Sequence, residues 1–398
     1  MIERKEYLDR LIGYRDKGVI KIITGIRRCG KSTLLALFQQ HLLDNGTAPA
    51  NIISINFDDY SNRGLCKAAA LHEYVLSRMA SEGKTYVFLD EIQNVPEFQR
   101  VVDSLHLRKN LDLYLTGSNA WLLSGDLATL LSGRYVEIEM LPLSFREYAS
   151  ATGTEGGLQR KYTEYLENSS FPGALEFEGQ PKHILGYLQG VYDSVILNDV
   201  VRRYRIPDVM MLESLLRFTF ENIGSQLSTK NISNAMNSDG RKIDVKTVER
   251  YLRTLMDSYI IYQAKRYDIK GKQYLKTLDK YYAVDIGMRY LLLGKSGTDV
   301  GHILENVIYL ELLRRGYQVY VGKLGGLEVD FVAIDHSGRS YFQVAATVRE
   351  QATLERELAP LRKISDHYAK YILTLDEDPD ADYDGIRKVY APSWLMGD

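Results

Sequence analysis

The sequence predicts an α/β protein that begins with a parallel sheet, and three observations support this prediction. A short β-branched run (residues 19–24) leads into a glycine-rich loop, and a segment with helical apolar spacing follows (residues 32–43). Apolar runs then alternate with helical segments as far as residue 140. Acidic or polar residues end two of these runs. Strands that alternate with helices form parallel sheets covered on both faces.

Length and composition restrict the function classes. The chain has 398 residues, enough for several domains, and a formal net charge of −2, so any surface for nucleic acid must be a local patch. It has two cysteines, Cys29 and Cys66, too few for a cysteine metal cluster. We expect reduced thiols and a cytoplasmic location. No apolar run is long enough to span a bilayer and no signal peptide is evident, so we expect no membrane partner.

The glycine-rich loop fits G-x-x-x-x-G-K-[ST], with Gly25, Gly30, Lys31 and Ser32 in the fixed places. Glycines let the backbone N–H groups converge on a phosphate, and the following helix adds its positive end. Lys31 is expected to reach the β- and γ-phosphates of ATP, and the Ser32 hydroxyl to bind Mg²⁺. Arg27 and Arg28 face either the phosphates or solvent. The predicted ATP-binding residues are Gly25, Arg27, Arg28, Cys29, Gly30, Lys31, Ser32 and Thr33.

Polar residues after the third and fourth strands suggest a hydrolytic centre. The run 86–89 enters Asp90 and Glu91, a Walker B pattern in which Asp90 holds Mg²⁺ and Glu91 polarises the attacking water. Ser118 and Asn119 follow the fourth strand and could sense the γ-phosphate. A turn with a helix N-cap at either residue explains the spacing equally well.

Arg134 precedes the fifth strand. An arginine can neutralise charge that develops on the γ-phosphate, often from a neighbouring subunit, and this role predicts a homo-oligomer. A surface salt bridge is the alternative interpretation.

Several motifs together resemble the AAA+-like branch of bacterial and archaeal P-loop ATPases. The motifs are residues 25–32, 88–93, 115–119, 131–134 and 141–148, with further likeness at 224–225, 280–282 and 285–287. The resemblance covers nearly the whole chain. It implies a P-loop NTPase fold that hydrolyses ATP to ADP and phosphate, joined to a C-terminal part whose function is unknown.

A glycine-rich break at residues 152–157 suggests the first domain boundary. We predict four domains in chain order. They are an ATPase domain (1–150), a helical lid or connector (151–206), a winged helix (207–288) and an α/β domain like restriction endonucleases (289–398).

The winged helix is predicted from three helices (211–221, 228–236 and 244–258) and a ribbon of strands 259–264 and 272–276. The family resemblance points the same way. Basic residues on the third helix and beside the wing suit the phosphates of double-stranded DNA. They are Lys246, Arg250, Arg253, Lys265, Arg266 and Lys270. Contact with a protein partner is the alternative, because exposed faces are commonly charged.

The order of elements in the last domain resembles the PD-(D/E)XK nuclease core. In that core, an Asp on one strand and a Glu-x-Lys on the next hold Mg²⁺, with a Glu on the first helix. Glu305 and Asp330 fit the first places, but Gln343 and Ala345 stand where Glu and Lys belong. We therefore predict a degenerate nuclease site that is retained for binding or assembly.

The sequence thus favours an ATP-hydrolysing switch or motor whose nucleotide state controls a DNA-binding winged helix. Two alternatives stay open: an ATP-dependent nuclease, and a protein-interaction scaffold that turns ATP over slowly.

Overall fold

A computed structural model describes residues 2–120, 131, 133–274, 278–295 and 299–397. Ser132 of the predicted arginine motif and residues 275 and 276 of the predicted ribbon lie outside this range. The chain forms two compact units. One consists of Met1–Met140 with Asp257–Tyr259, and the other of Leu141–Met256 with Ile260–Asp398. The finer division into four domains stays a prediction.

The first unit alternates helices and strands as predicted. Its elements are α1 (Lys5–Tyr14), β1 (Ile20–Thr24), α2 (Lys31–Asp44), β2 (Ile52–Asn56), α3 (Ala68–Ser77), β3 (Thr85–Asp90), α4 (Phe98–His106), β4 (Leu111–Gly117) and β5 (Tyr135–Glu139).

The strands of the first unit form a parallel sheet in the order β2-β3-β4-β1-β5, as far as the described residues extend. Every residue of β1, β3 and β4 is buried, which explains why these strands read as continuous apolar runs. β4 lies between β1 and β3. The carboxyl ends of these three strands, where ligands bind in open α/β sheets, are therefore neighbours.

The second unit begins with helices and ends with a large sheet. Its elements are α5 (Phe145–Thr152), α6 (Leu158–Asn168), α7 (Pro181–Ser194), a π-helix (Val195–Arg202), α8 (Val209–Glu221), α9 (Thr229–Ser238), α10 (Val245–Asp257, whose last residue belongs to the first unit), β6 (Ile261–Ala264), β7 (Arg266–Asp268), β8 (Gln273–Tyr274), β9 (Lys280–Ala283), α11 (Ile286–Leu293), α12 (Val300–Arg314), β10 (Gln318–Leu324), β11 (Leu327–Asp335), β12 (Gly338–Ala345), α13 (Gln351–Arg362), β13 (Ala369–Thr374), β14 (Ala381–Tyr383), β15 (Ile386–Tyr390) and α14 (Ala391–Met396).

The large sheet has the order β14-β15-β13-β12-β11-β10-β7-β8 among the described residues. The predicted hairpin of β11 and β12 is present, with Phe331 opposite Phe342. α12 and α13 both contact these two strands. Polar side chains at the ends of β11 and β12 are therefore close to residues of both helices.

The predicted ribbon after the third helix is wrong in its pairing. β6 pairs with β9, with Tyr262 opposite Tyr282, and not with the described part of the predicted partner, Gln273–Tyr274. The intervening segment forms the hairpin β7–β8, and β7 joins the large sheet alongside β10. The reason is burial: Tyr267 and Ile269 enter an apolar cluster with Leu324, and burying such side chains stabilises the fold by about 1.5–3 kcal/mol each.

Across the described ranges, no helix combines the length and apolar character needed to cross a bilayer.

Candidate functional site

The glycine-rich loop connects β1 to α2 and needs its glycines. Gly25 and Gly30 have φ values of 139° and 105°, a region that side chains disfavour. A Cβ atom at Gly25 would lie 2.2 Å from the carbonyl oxygen of Met140. The loop can therefore take this path only with glycine at position 25.

The loop presents the start of α2 and the Lys31 ammonium. Gly30 precedes the helix and has no side chain with which to cap the first N–H groups, a geometry suited to binding an anion. The buried Lys31 Nζ donates hydrogen bonds to the carbonyls of Gly25 (3.0 Å) and Ile26 (3.1 Å). Ser32 and Thr33 are exposed on the first turn. The predicted phosphate ligands thus share one helix end.

The other predicted loop residues have different environments. Arg27 Nη1 lies 3.6 Å from Asp58 Oδ2, and Arg28 is exposed. Cys29 is a buried free thiol whose pKa burial raises. Its carbonyl accepts a hydrogen bond from Nη1 of the buried Arg4 (2.9 Å). Arg4 therefore fixes the loop from the N-terminal segment, a role that the sequence did not reveal.

Asp90 ends β3 and joins three neighbouring elements. Its Oδ1 accepts a hydrogen bond from Thr116 Oγ1 on β4 (2.5 Å), and its Oδ2 accepts one from Asn56 Nδ2 on β2 (3.0 Å). Ser32 also hydrogen-bonds to this carboxylate, and burial raises its pKa. The structure therefore brings together Ser32 and Asp90, the pair predicted to hold Mg²⁺.

Glu91 is held by residues that follow β4. Ser118 Oγ donates to Glu91 Oε1 and Oε2 (2.7 and 2.8 Å), and Gln93 Nε2 also donates to Oε2. Lys31 Nζ lies 3.9 Å from Oε1. Burial opposes ionisation of Glu91, but Lys31 and these hydrogen bonds outweigh burial and hold its pKa below the usual range. Glu91 is therefore an ionised carboxylate beside the phosphate loop.

Asn119 has a different partner from Ser118. Its Nδ2 donates to Ser258 Oγ at 3.2 Å, and Ser258 belongs to the segment Asp257–Tyr259 of the same unit. In this segment Tyr259 contacts Glu137, which also accepts a 2.7 Å hydrogen bond from Thr24 at the end of β1. Side chains beside the phosphate loop thus contact the segment that directly follows α10.

Arg134 forms an ion pair with Asp103 at 2.5 Å, and about half of its side chain is exposed. This contact matches the alternative of a surface salt bridge. The structure does not bring Arg134 to the described cluster of Lys31, Asp90 and Glu91.

Sequence reasoning missed the side chains that orient the two carboxylates. Thr116 is the main one, because its hydroxyl donates to Asp90 and accepts the Glu91 N–H (2.9 Å). Asn56 at the end of β2 was also missed. The signal that could have found both residues is their position at the carboxyl ends of parallel strands, where ligands and their supports converge.

The predicted DNA-contacting residues divide into two groups. Lys246, Arg250 and Arg253 are exposed on one face of α10, as predicted. The others lie between the end of β6 and the start of β8, where the hairpin β7–β8 joins the large sheet and does not form the predicted ribbon with β6. These residues are Lys265, Arg266 and Lys270.

The predicted nuclease residues do meet. Glu305 and Asp330 line a cavity of about 810 Å³ in the second unit, and Gln343 hydrogen-bonds to the backbone N–H of Asp330. Lys280 on β9, which the sequence analysis did not assign to this site, reaches the same carboxyl groups. Burial and the neighbouring Glu305 raise the pKa of Asp330 to about 8.

Comparisons with known proteins agree with this architecture. Residues 17–149 match the model of an AAA domain, and residues 159–299 match a domain of unknown function (DUF8612). The solved structure of a Walker-type ATPase from Pyrococcus abyssi superposes with a TM-score of 0.51 at 16% identity, covering 73% of this chain and 96% of that one. At this identity the match shows a common fold.

Two relatives extend over most of the chain. An uncharacterized protein of Methanocaldococcus jannaschii is 29% identical over 86% of this chain and 78% of its own length. An uncharacterized protein of Haemophilus influenzae is 38% identical over 100% of this chain and 99% of its own length. The chain, with its AAA domain at residues 17–149, therefore belongs to the same family as the Haemophilus influenzae protein.

Proposed function

We propose that this protein binds ATP with Mg²⁺ and hydrolyses it, and that the nucleotide state controls contact with double-stranded DNA. The observation that carries the proposal is the position of Glu91. It is an ionised carboxylate held by Ser118, 3.9 Å from the lysine of the phosphate loop. A site that only bound nucleotide would not need such a group.

Each side chain has a distinct role in this proposal. The loop N–H groups and Lys31 bind the phosphates, and Ser32 and Asp90 hold Mg²⁺ or its waters. Glu91 orients a water molecule for attack on the γ-phosphate and accepts its proton. Mg²⁺, when bound, neutralises charge on the phosphate oxygens.

Phosphate release measured with Lys31→Ala tests the nucleotide site. We expect release and ATP binding both to be lost, because the variant removes the phosphate-binding ammonium. Lys17→Ala is the matched control, since Lys17 is exposed before the amino end of β1, at the opposite edge of the sheet. Unchanged phosphate release from pure Lys31→Ala protein would refute the assignment.

The segment Asp257–Tyr259 supports the link between nucleotide and DNA. It belongs to the first unit, where Ser258 accepts a hydrogen bond from Asn119, and it includes Asp257, the last residue of α10. A change at Asn119 on ATP binding or hydrolysis is thus transmitted to the end of the helix that carries Lys246, Arg250 and Arg253.

Binding to a labelled 30-base-pair duplex tests the DNA part of the proposal. Reversing the charge of Lys246, Arg250 and Arg253 to Glu should weaken binding and reduce the slope of log K against log salt by about 3, because three phosphate contacts are lost. The same reversal at three other exposed basic positions should leave the slope unchanged. The control positions are Arg108, Lys109 and Lys363. Equal effects in both triple variants would refute this surface.

We also propose that the protein acts as a homo-oligomer in which Arg134 reaches a neighbouring subunit. Arg134 is half exposed and its partner Asp103 is also solvent-accessible, so an ATP site of a second subunit could compete for the guanidinium. In this arrangement Arg134 stabilises the γ-phosphate of the neighbour, and hydrolysis requires a homo-oligomer.

A further inference from the structure

The second unit contains an ion cluster around the buried Lys280 and Glu305 that the proposed ATPase chemistry does not use. It lies in the cavity lined by Glu305 of α12, Glu328 and Asp330 of β11, and Lys280 of β9. The resemblance to PD-(D/E)XK nucleases implies that Glu305 and Asp330 hold Mg²⁺ there. Whether a metal fits these residues depends on how their oxygen atoms are already engaged.

The Lys280 ammonium lies at the centre of the carboxylates. Its Nζ is 2.8 Å from Glu305 Oε1, 2.8 Å from Glu328 Oε1 and 3.7 Å from Asp330 Oδ1. The lysine side chain is only 5% exposed, so water does not compensate its charge. Tyr282, on the same strand, donates a 2.6 Å hydrogen bond to Glu305 Oε1. One carboxylate oxygen therefore already has two donors.

The residue at the third nuclease position is also engaged. Gln343 Oε1 accepts the backbone N–H of Asp330 (2.9 Å), and its Nε2 donates to Glu357 (2.7 Å). Asp330 Oδ2 in turn accepts the backbone N–H of Val344 (2.9 Å). The glutamine thus ties two acidic residues to β12 and offers no charged oxygen to a metal.

A divalent cation does not fit this arrangement. Mg²⁺ needs octahedral oxygen ligands at 2.0–2.1 Å, so an ion on Glu305 Oε1 would lie within about 5 Å of the Lys280 ammonium. Two buried cations at that distance repel each other strongly in a medium of low dielectric constant. In the part of the chain that the structure describes, no group of three or more acidic, histidine or cysteine side chains is arranged to hold a metal.

We infer that the Lys280 ammonium takes the place of the divalent cation in this centre. The lysine supplies the positive charge that joins β9, α12 and β11, and the nuclease-like centre of this protein is a permanent ion cluster that binds no catalytic metal. In this inference the cluster stabilises the fold and takes no part in cleavage. A competing interpretation is a lysine that has moved to serve a metal-dependent nuclease. That interpretation requires the wild-type protein to bind metal through Asp330.

Mn²⁺ binding to the nucleotide-free full-length protein, measured by electron paramagnetic resonance, separates these interpretations. Asp330→Asn leaves the phosphate loop intact, so the Mn²⁺ that this variant binds includes any ion held at that loop. Subtracting this amount from the amount bound by another variant gives the Mn²⁺ that depends on Asp330. We expect the wild type and Asp330→Asn to bind the same amount of Mn²⁺. Lys280→Met should bind one additional Mn²⁺ because the carboxylates have lost their cation, and Lys280→Met/Asp330→Asn should lose it.

Two results would overturn the inference. One is wild-type Mn²⁺ binding that Asp330→Asn removes. The other is a folded Lys280→Met protein, as judged by circular dichroism and ATP binding, that gains no Mn²⁺. If Lys280→Met does not fold, Lys280→Gln serves as the neutral variant, since it retains a polar side chain. The comparison of wild type with Asp330→Asn decides the question even if both variants fail to fold.

Discussion

Replacing Lys280 by Met should destabilise the second unit strongly. The lysine contacts two carboxylates at 2.8 Å and lies 3.7 Å from the carboxyl group of Asp330. At an effective dielectric constant of 20, each 2.8 Å contact corresponds to about 6 kcal/mol of Coulomb attraction, most of which offsets the cost of burying the ions. Removing the lysine leaves the buried Glu305 and the partly exposed Glu328 without a compensating charge. We therefore expect a loss of about 3–5 kcal/mol in the free energy of unfolding.

Calorimetry of the full-length protein measures this loss. For a unit of this size, the expected change lowers the melting temperature of its transition by about 6–20 °C. Lys363→Met is the matched control: Lys363 is exposed at the end of α13, and its replacement should change stability by less than about 0.5 kcal/mol. A loss below about 1 kcal/mol for Lys280→Met would refute the idea that the ammonium compensates the cluster.

Three further predictions concern both units. Arg134→Ala should abolish phosphate release and leave ATP binding intact, because in the proposed homo-oligomer the arginine acts on the γ-phosphate of a neighbour; full activity of a monomer would contradict this role. Thr116→Val, which removes the hydroxyl between Asp90 and Glu91, should lower the rate of phosphate release by about 10- to 100-fold, and an unchanged rate would exclude that orienting role. Asp330 has its pKa raised from 3.8 to about 8, so its protonated form favours folding and this contribution is lost as the pH rises from about 4 to about 8. The free energy of unfolding in urea should therefore fall for the wild type relative to Asp330→Asn as the pH rises over that interval. A constant difference between the two proteins would contradict a raised pKa of Asp330 in the folded state.

The first unit could be predicted well from the sequence because its signals are local. The fully buried strands β1, β3 and β4 are continuous apolar runs, and the phosphate loop requires glycine at Gly25 for steric reasons. The apolar run of β3 also predicted that Asp90 and Glu91 lie at its carboxyl end, and the structure has them there. Their roles in holding Mg²⁺ and polarising water stay predictions. The roles of Thr116 and Arg4 were not predicted, because they depend on which elements become neighbours. Thr116 lies in the motif 115–119, but the motif does not reveal that its hydroxyl contacts Asp90.

The second unit was less predictable because its pairings are not local. The strands β6 and β9 are separated by a hairpin that joins another sheet, and adjacent runs in the chain suggested a simpler ribbon. Lys280 illustrates the same limit. The lysine position predicted on β12 is occupied by Ala345, and the lysine that reaches these carboxyl groups is on a strand more than 60 residues earlier in the chain. Only the tertiary fold brings that charge to Glu305 and Asp330.

The most direct test of the proposed function is a comparison of ATP binding and phosphate release in Glu91→Gln. The substitution keeps the size of the side chain and removes the charge that polarises water. The control is Glu82→Gln, an exposed position at the amino end of β3. We predict that Glu91→Gln binds ATP within a few-fold of wild type and releases phosphate at least about 100-fold more slowly. Phosphate release at the wild-type rate from Glu91→Gln would contradict the proposal that this chain hydrolyses ATP through Glu91.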